Sequence, residues 1–309
     1  MADHLDDLKN DLPMFFVIYA AEIVAGIFLG AFIVGVNLFE WCRGKALSSC
    51  DQILLALGIS NILYPCITGL MLFIILLQIT IPPLMSQITY GFCFFTAVSC
   101  SWLTAVLCLF YCLKIVHFKL DLIAQLKMKI DPIVPWLIVT VELVSVLCSI
   151  PGAMSVINFQ CTNKSSSPLA NCSLNETVIT FNFPIILMTV VPNVFLPLLT
   201  VICTTVCIIW SLRKHTRSMR KNMGEGDSLR VHKTAVRTML SLLLLYIVFY
   251  MAECCMMSIF SSPLSLIYFV MFILVLLFSP VQSVVLIIGN NKLFQNLKKL
   301  LLLITCKIQ

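Results

Sequence analysis

Three carboxylic acids, Glu22, Glu142 and Glu253, lie deep inside long apolar stretches of this chain. A carboxylate in hydrocarbon is costly, so each must face a polar interior, a cavity or a hydrogen-bonding neighbour. No Lys or Arg lies at comparable depth to pair with them. Two chemistries fit such a residue: an anchor for a cationic or hydrogen-bonding ligand, or a protonated acid bonded to an adjacent helix. Both stand for Glu253; Glu22 and Glu142 read as the second. Catalysis at depth would need nucleophiles, bases or metal ligands, yet His4, His117, His215 and His232 all lie outside the apolar stretches or at their edges. There is no HExxH, no paired intramembrane aspartate and no GxSxG, so no enzyme, metal site or cofactor is expected. Ion-coupled transport would favour several buried carboxylates with basic partners and duplicated halves, which are not visible here.

The elements that hold these acids follow from composition. Of 309 residues 60% are hydrophobic and 11% charged, far from the balance of a soluble domain. Seven stretches reach the ~20 apolar residues that a spanning helix needs: about 14–39, 52–77, 84–113, 133–157, 183–210, 235–258 and 264–288. Only Thr80-Ile81-Pro82-Pro83 separates the second from the third. The expected fold is an all-α seven-transmembrane helix bundle forming one domain over residues 1–309. The acidic first thirteen residues lack the basic region of a cleavable leader, and none is expected.

Charge orients the bundle. With the N-terminus outside, segments 40–51, 114–132, 211–237 and the tail from Gly289 are inside, and they hold 2, 4, 8 and 4 Lys or Arg, 18 of the 20. Only Lys9 and Lys164 fall outside, which is the positive-inside pattern and places the C-terminus in the cytoplasm. The net charge of +6 is explained by this bias, and no nucleic-acid face is expected. The largest basic segment, between Trp210 and Tyr250, is also the largest polar surface available to a cytosolic partner. At ~1.5 Å rise per residue, Glu253 then lies in the outer half of the sixth span. The loop 158–182 carries three glycosylation acceptors, Asn163, Asn171 and Asn175, on the side the charges place outside. Cys161 and Cys172, in the same loop, are the two cysteines in an oxidising compartment; a disulfide between them and two free thiols are both open. Cys306, in the basic tail, is either a palmitoylation site or a plain thiol. Gly26 and Gly30 form a small-xxx-small face that reads as close helix packing, with homodimerisation the lesser alternative. Apolar residues toward the outer end, such as Phe94, Met256, Met257, Tyr268 and Phe272, line a ligand cavity or simply pack.

Five stretches, in order, carry a family resemblance. They are Ala21-Glu22-Ile23 with Gly30 through Asn37; Leu47-Ser48-Ser49-Cys50-Asp51-Gln52-Ile53-Leu54; Trp102-Leu103-Thr104-Ala105 with Phe110-Tyr111-Cys112-Leu113-Lys114-Ile115; Ser211 through Tyr246 with His215, Met219, Asp227 and His232; and Gln282 through Leu293, ending Asn290-Asn291-Lys292-Leu293. The Asp-Arg-Tyr and Asn-Pro-x-x-Tyr signatures of rhodopsin-like receptors are missing. The chain resembles a bitter taste receptor (taste receptor type 2), a G-protein-coupled receptor. The resemblance implies a small-molecule bitter agonist, a gustducin-like heterotrimeric G protein as partner, contact with membrane lipid, and a multi-pass place in the plasma membrane. It implies a cavity among the second, third, fifth, sixth and seventh helices on the outer side. Cys93, Phe94, Ala97, Phe272 and Val275 are its expected walls, with Glu253 and Met257 beside them. G-protein contact is expected at Tyr111, Lys114, His215, Arg217 and Lys233. Departures from the family pattern fall at Asn61, where Arg is usual, at Ala97, where Asn is frequent, and at Gln282, which replaces His; these imply a rewired interhelical network and a shift toward apolar ligands. The rival readings are another chemosensory seven-helix receptor of vomeronasal type and a small-solute transporter.

Overall fold

The structure is a computed structural model that describes residues 2–77, 79, 81–116, 121–154, 156–158, 179–181, 183–219, 227–259 and 266–308. Seven long helices form the bundle: α1 (Ala2–Cys42), α2 (Ser49–Leu76), α3 (Pro83–Ile115), α4 (Asp121–Met154), α5 (Phe183–Met219), α6 (Asp227–Ile259) and α7 (Leu266–Gly289). Each contains a stretch long and apolar enough to cross a membrane. An eighth helix, α8 (Asn291–Ile308), follows α7. Two three-residue strands, β1 (Val156–Asn158) and β2 (Ile179–Phe181), pair antiparallel with Val156 opposite Phe181 and Asn158 opposite Ile179. They mark one end of the bundle, the hairpin end; α8 and the Arg-rich segment mark the other, the basic end.

Several differences from the sequence reading have local causes. The helices outrun the apolar stretches at the basic end, because polar residues such as those from Asp121 continue α4 without breaking it. α4 stops at Met154, and Val156 and Ile157 join β1 instead of the helix, as β-branched residues in a paired strand do. α8 was not expected. Its start is fixed by Asn290, whose Oδ1 accepts hydrogen bonds from the amides of Lys292 and Leu293 at 2.9 and 3.2 Å, the N-cap arrangement. α2 begins on a reciprocal cap: the Asp51 amide donates to Ser48 Oγ at 3.2 Å, and Ser48 Oγ donates to Asp51 Oδ2 at 2.8 Å. α1 ends at Gly44, whose φ of +78° suits a residue without a Cβ.

α3 threads the centre. The main cluster packs α3 residues Leu103, Leu107, Cys108 and Phe110 against Ile53, Leu54 and Leu57 of α2, Val201 and Ile208 of α5, Met239 and Leu242 of α6, and Ile287 of α7. α1 and α2 cross where Gly30 meets Gly58: a Cβ at Gly30 would lie 3.0 Å from the Gly58 carbonyl oxygen. Gly26 in turn faces Pro65 of α2 and Ser279 of α7. The small-residue face is thus filled from within the chain.

Candidate functional site

Toward the hairpin end, α3 presents Cys93 and Ala97 one turn apart. Ala97 packs on a buried cluster of Tyr64, Cys100, Tyr246, Phe249, Tyr250 and Val275. Glu253 lies one turn beyond Phe249 and Tyr250 of this cluster, which joins α2, α3, α6 and α7. The side chain is neither buried nor fully exposed, and no hydrogen bond or ion pair engages it among the described residues. An unengaged acid within an apolar wall suits a ligand that brings its own donor or cation. The structure therefore brings Cys93, Ala97, Val275 and Glu253 together.

Two of the expected cavity residues point elsewhere. The Phe94 ring lies against α4, where a Cβ at Gly152 would sit 2.6 Å from it. One residue advances a helix by about 100°, so Phe94 leaves the face shared by Cys93 and Ala97. Phe272 is 4% exposed and packs in a separate cluster with Phe15, Tyr19, Leu72 and Phe269, its ring edge-on to Tyr19 at 5.6 Å. Tyr19 ties α1 to α7 by donating to the Phe269 carbonyl at 3.1 Å. Met257 belongs to α6, and its side chain lies outside the described residues. The other two intramembrane acids also resolve: Glu142 Oε1 accepts from Ser99 Oγ of α3 at 2.9 Å, while Glu22 keeps a buried Oε2 with no hydrogen-bond partner.

Below this lies a polar network that the sequence did not single out. Tyr246 Oη of α6 sits 2.9 Å from both the Cys100 carbonyl and Thr104 Oγ1 of α3. Gln282 Nε2 of α7 donates to Thr104 Oγ1 at 2.7 Å and to Tyr246 Oη at 3.3 Å. Tyr250 Oη donates to Ser101 Oγ at 3.0 Å. Asn61 is fully buried and joins α2 to α7: Nδ2 donates to Ser283 Oγ at 3.1 Å, and its carbonyl accepts from Ser279 Oγ at 2.6 Å. The two departures thus still join helices, through neutral amides. Their signal in the sequence was their own polarity within apolar spans.

At the basic end, Lys292 of α8 uses all three ammonium protons. Its Nζ lies 2.7 Å from Glu40 Oε2, 3.1 Å from Asp51 Oδ2 and 2.9 Å from Asn37 Oδ1, clamping α8 to α1 and α2. Burial disfavours the charge on Lys292, but hydrogen bonds to Glu40 and Asp51 and their charges outweigh it, and its pKa rises above the usual 10.5. Lys114 pairs with Asp131 of α4 at 3.2 Å and lies over the Phe110 ring at 5.2 Å. Asp131 also accepts from Ser49 Oγ of α2 at 2.7 Å. Tyr111 Oη meets Cys50 Sγ at 3.5 Å. His215 and Arg217 continue α5 and Lys233 lies in α6, with side chains outside the described residues. The sequons at Asn163, Asn171 and Asn175 and the cysteines Cys161 and Cys172 also lie outside the described residues. Among the described residues, no cluster of His, Cys, Asp or Glu could hold a metal.

The profile of the family described as "Taste receptor protein (TAS2R)" matches residues 8–305. The chain belongs to the taste receptor family. It is 28% identical to "Taste receptor type 2 member 1" of Pan paniscus over 312 residues, covering 97% of this chain and 99% of that one. Against "Taste receptor type 2 member 40" of Gallus gallus the identity is 29% over 290 residues, 92% of this chain and 93% of the relative. "Taste receptor type 2 member 39" of Homo sapiens is 30% identical over 258 residues, 78% of this chain and 74% of its own. The protein is a multi-pass membrane receptor and not an enzyme.

Proposed function

We propose that this taste receptor is a bitter receptor of the plasma membrane, with the hairpin end outside and the basic end in the cytosol. Small bitter compounds bind in the outer half of the bundle, with Glu253, Cys93, Ala97 and Val275 as the core of the site and Met257 beside it. A gustducin-like heterotrimeric G protein is engaged through Tyr111, Lys114, His215, Arg217 and Lys233. The three sequons carry glycans. The observation that carries the reading is the family match across residues 8–305. The place of the unengaged Glu253, one turn from the cluster that joins α2, α3, α6 and α7, supports the ligand position. Agonist acts by binding one arrangement of the helices better than another, which requires differential affinity. The buried α3–α6–α7 network of Thr104, Tyr246 and Gln282 is a connection that such a shift would have to rearrange. The test is expression with a G protein carrying the gustducin C-terminus and a screen of bitter compounds for calcium release. Solute uptake independent of G protein, with no calcium response, would replace this reading with transport.

A further inference from the structure

A cavity of about 300 Å³ opens on the circumference of the bundle among α3, α4 and α5, lined by Trp102, Val106, Leu109, Val141 and Thr200 among others. It is separate from the Glu253 region, none of whose residues line it. Its depth can be read from the spans. Leu109 lies six residues before the end of the α3 span at Ile115, and Leu137 seven residues after the start of the α4 span at Ile130. At ~1.5 Å per residue the floor is therefore about 10 Å from the basic end of the bundle, and the opening faces the hydrocarbon of that leaflet.

The lining decides what enters. Its polar side chains are Thr140 and Thr200, and both hydroxyls are already spent on their own helices, donating to the Trp136 and Leu196 carbonyls at 2.8 Å each. No charged or donor group remains to hold a headgroup or a polar ligand. Water would find too few partners to fill a groove so lined. Hydrocarbon is the solvent at this depth, and its chains reach the floor from a headgroup at the interface. We infer that the groove between α3, α4 and α5 is a binding site for one acyl chain of a membrane phospholipid from the leaflet at the basic end. The chain seats against Ala105, Val106 and Val141, which are 2%, 8% and 7% exposed, and against the Trp102 indole. That indole also donates to Asn193 Oδ1 of α5 at 3.3 Å, so the occupant touches the α3–α5 junction directly.

The full-length receptor in bilayers of phosphatidylcholine carrying a mid-chain diazirine tests this. Photolabelling followed by peptide mapping is expected to mark Ala105, Val106 or Val141 as well as perimeter residues such as Leu143 and Val206, which are 60% and 58% exposed. Val141→Phe fills the groove and is expected to cut the interior labels at least tenfold while leaving the perimeter labels intact. The perimeter labels report that the variant is folded and inserted. Marks confined to the perimeter in the wild type, or interior marks unchanged in Val141→Phe, overturn the site. Should Val141→Phe fail to insert, Ala105→Leu carries the same comparison from the opposite wall.

Discussion

Replacing Lys292 with Met removes an ammonium and keeps the aliphatic stem. What remains is two carboxylates, Glu40 and Asp51, at the junction of α1, α2 and α8, with the exposed Lys45, 3.9 Å from Glu40, as the remaining countercharge. The magnitude follows from burial. Breaking one side of a fully buried pair costs about 3–5 kcal/mol, and an exposed pair contributes about 0–1 kcal/mol. Lys292 is 23% exposed, Asp51 14% and Glu40 28%, so the site falls between these limits. The expected cost is about 2 kcal/mol, borne by the docking of α8 rather than by the whole bundle. Hydrogen exchange of the α8 amides reads this directly and should speed up roughly 30-fold, with the α3 core unchanged.

Further variants isolate the cause. Lys292→Arg should restore only part of the protection, because a planar guanidinium fits poorly to three acceptors that α1 and α2 hold around a compact ammonium. Asp51→Asn combined with Lys292→Met should cost less than the sum of the two, since each removes the charge that strands the other. Because the lysine pKa is raised in the folded chain, its contribution is complete below the ordinary value of 10.5 and fades only as pH climbs past it. Protection of α8 lost between neutral pH and 9 would therefore implicate another group. An α8 equally protected in wild type and Lys292→Met would refute the clamp.

Three other outcomes follow from the same geometry. Glu253→Gln should weaken cationic agonists more than neutral ones in calcium assays, and an equal loss for both classes would mark the residue as structural. Thr104→Val should lower thermal stability more, by about 2 kcal/mol, than Tyr246→Phe at about 1 kcal/mol. Thr104 receives both Tyr246 and Gln282, whereas losing the Tyr246 hydroxyl leaves the Thr104–Gln282 bond in place; the reverse order in melting experiments would show that the hub is elsewhere. Gly30→Val should impair folding, because its Cβ would meet a backbone oxygen at 3.0 Å that cannot step aside, while Gly35→Ala, with nothing within 4 Å, should be silent in expression and melting.

The spans were readable because hydrocarbon sets a length and a composition that few other structures satisfy, and the body of each stretch read as apolar lies within a long helix. α8 escaped that test. Its first half is polar enough to look like a tail, and Lys292 looked like one more charge setting orientation. Its partner Asn37 is 255 positions away, a separation no local pattern reveals. The site residues divide for a related reason. Cys93 and Ala97, four apart, must share a face of α3; the neighbouring Phe94 must leave it, and its partner Gly152 offers the signal of a small residue where a ring needs room. Phe272 reads as a cavity aromatic until Tyr19 is placed beside it from the other end of the chain.

Asn61 and Gln282 show most clearly where substitution reasoning from a family stops. Asn61 stands where a charged side chain is usual and Gln282 where an imidazole is, which suggests an interhelical connection lost. Buried polar groups, however, are seldom left without partners, and a neighbour that can rotate a hydroxyl will supply one. Ser283 of α7 does so for the Asn61 side-chain amide, and Thr104 and Tyr246 do so for Gln282 Nε2. The connection between α2 and α7 is made at fully buried positions by neutral groups. Its satisfaction is incomplete: Gln282 Oε1 is buried with no hydrogen-bond partner among the described residues, and so is Glu22 Oε2 on α1.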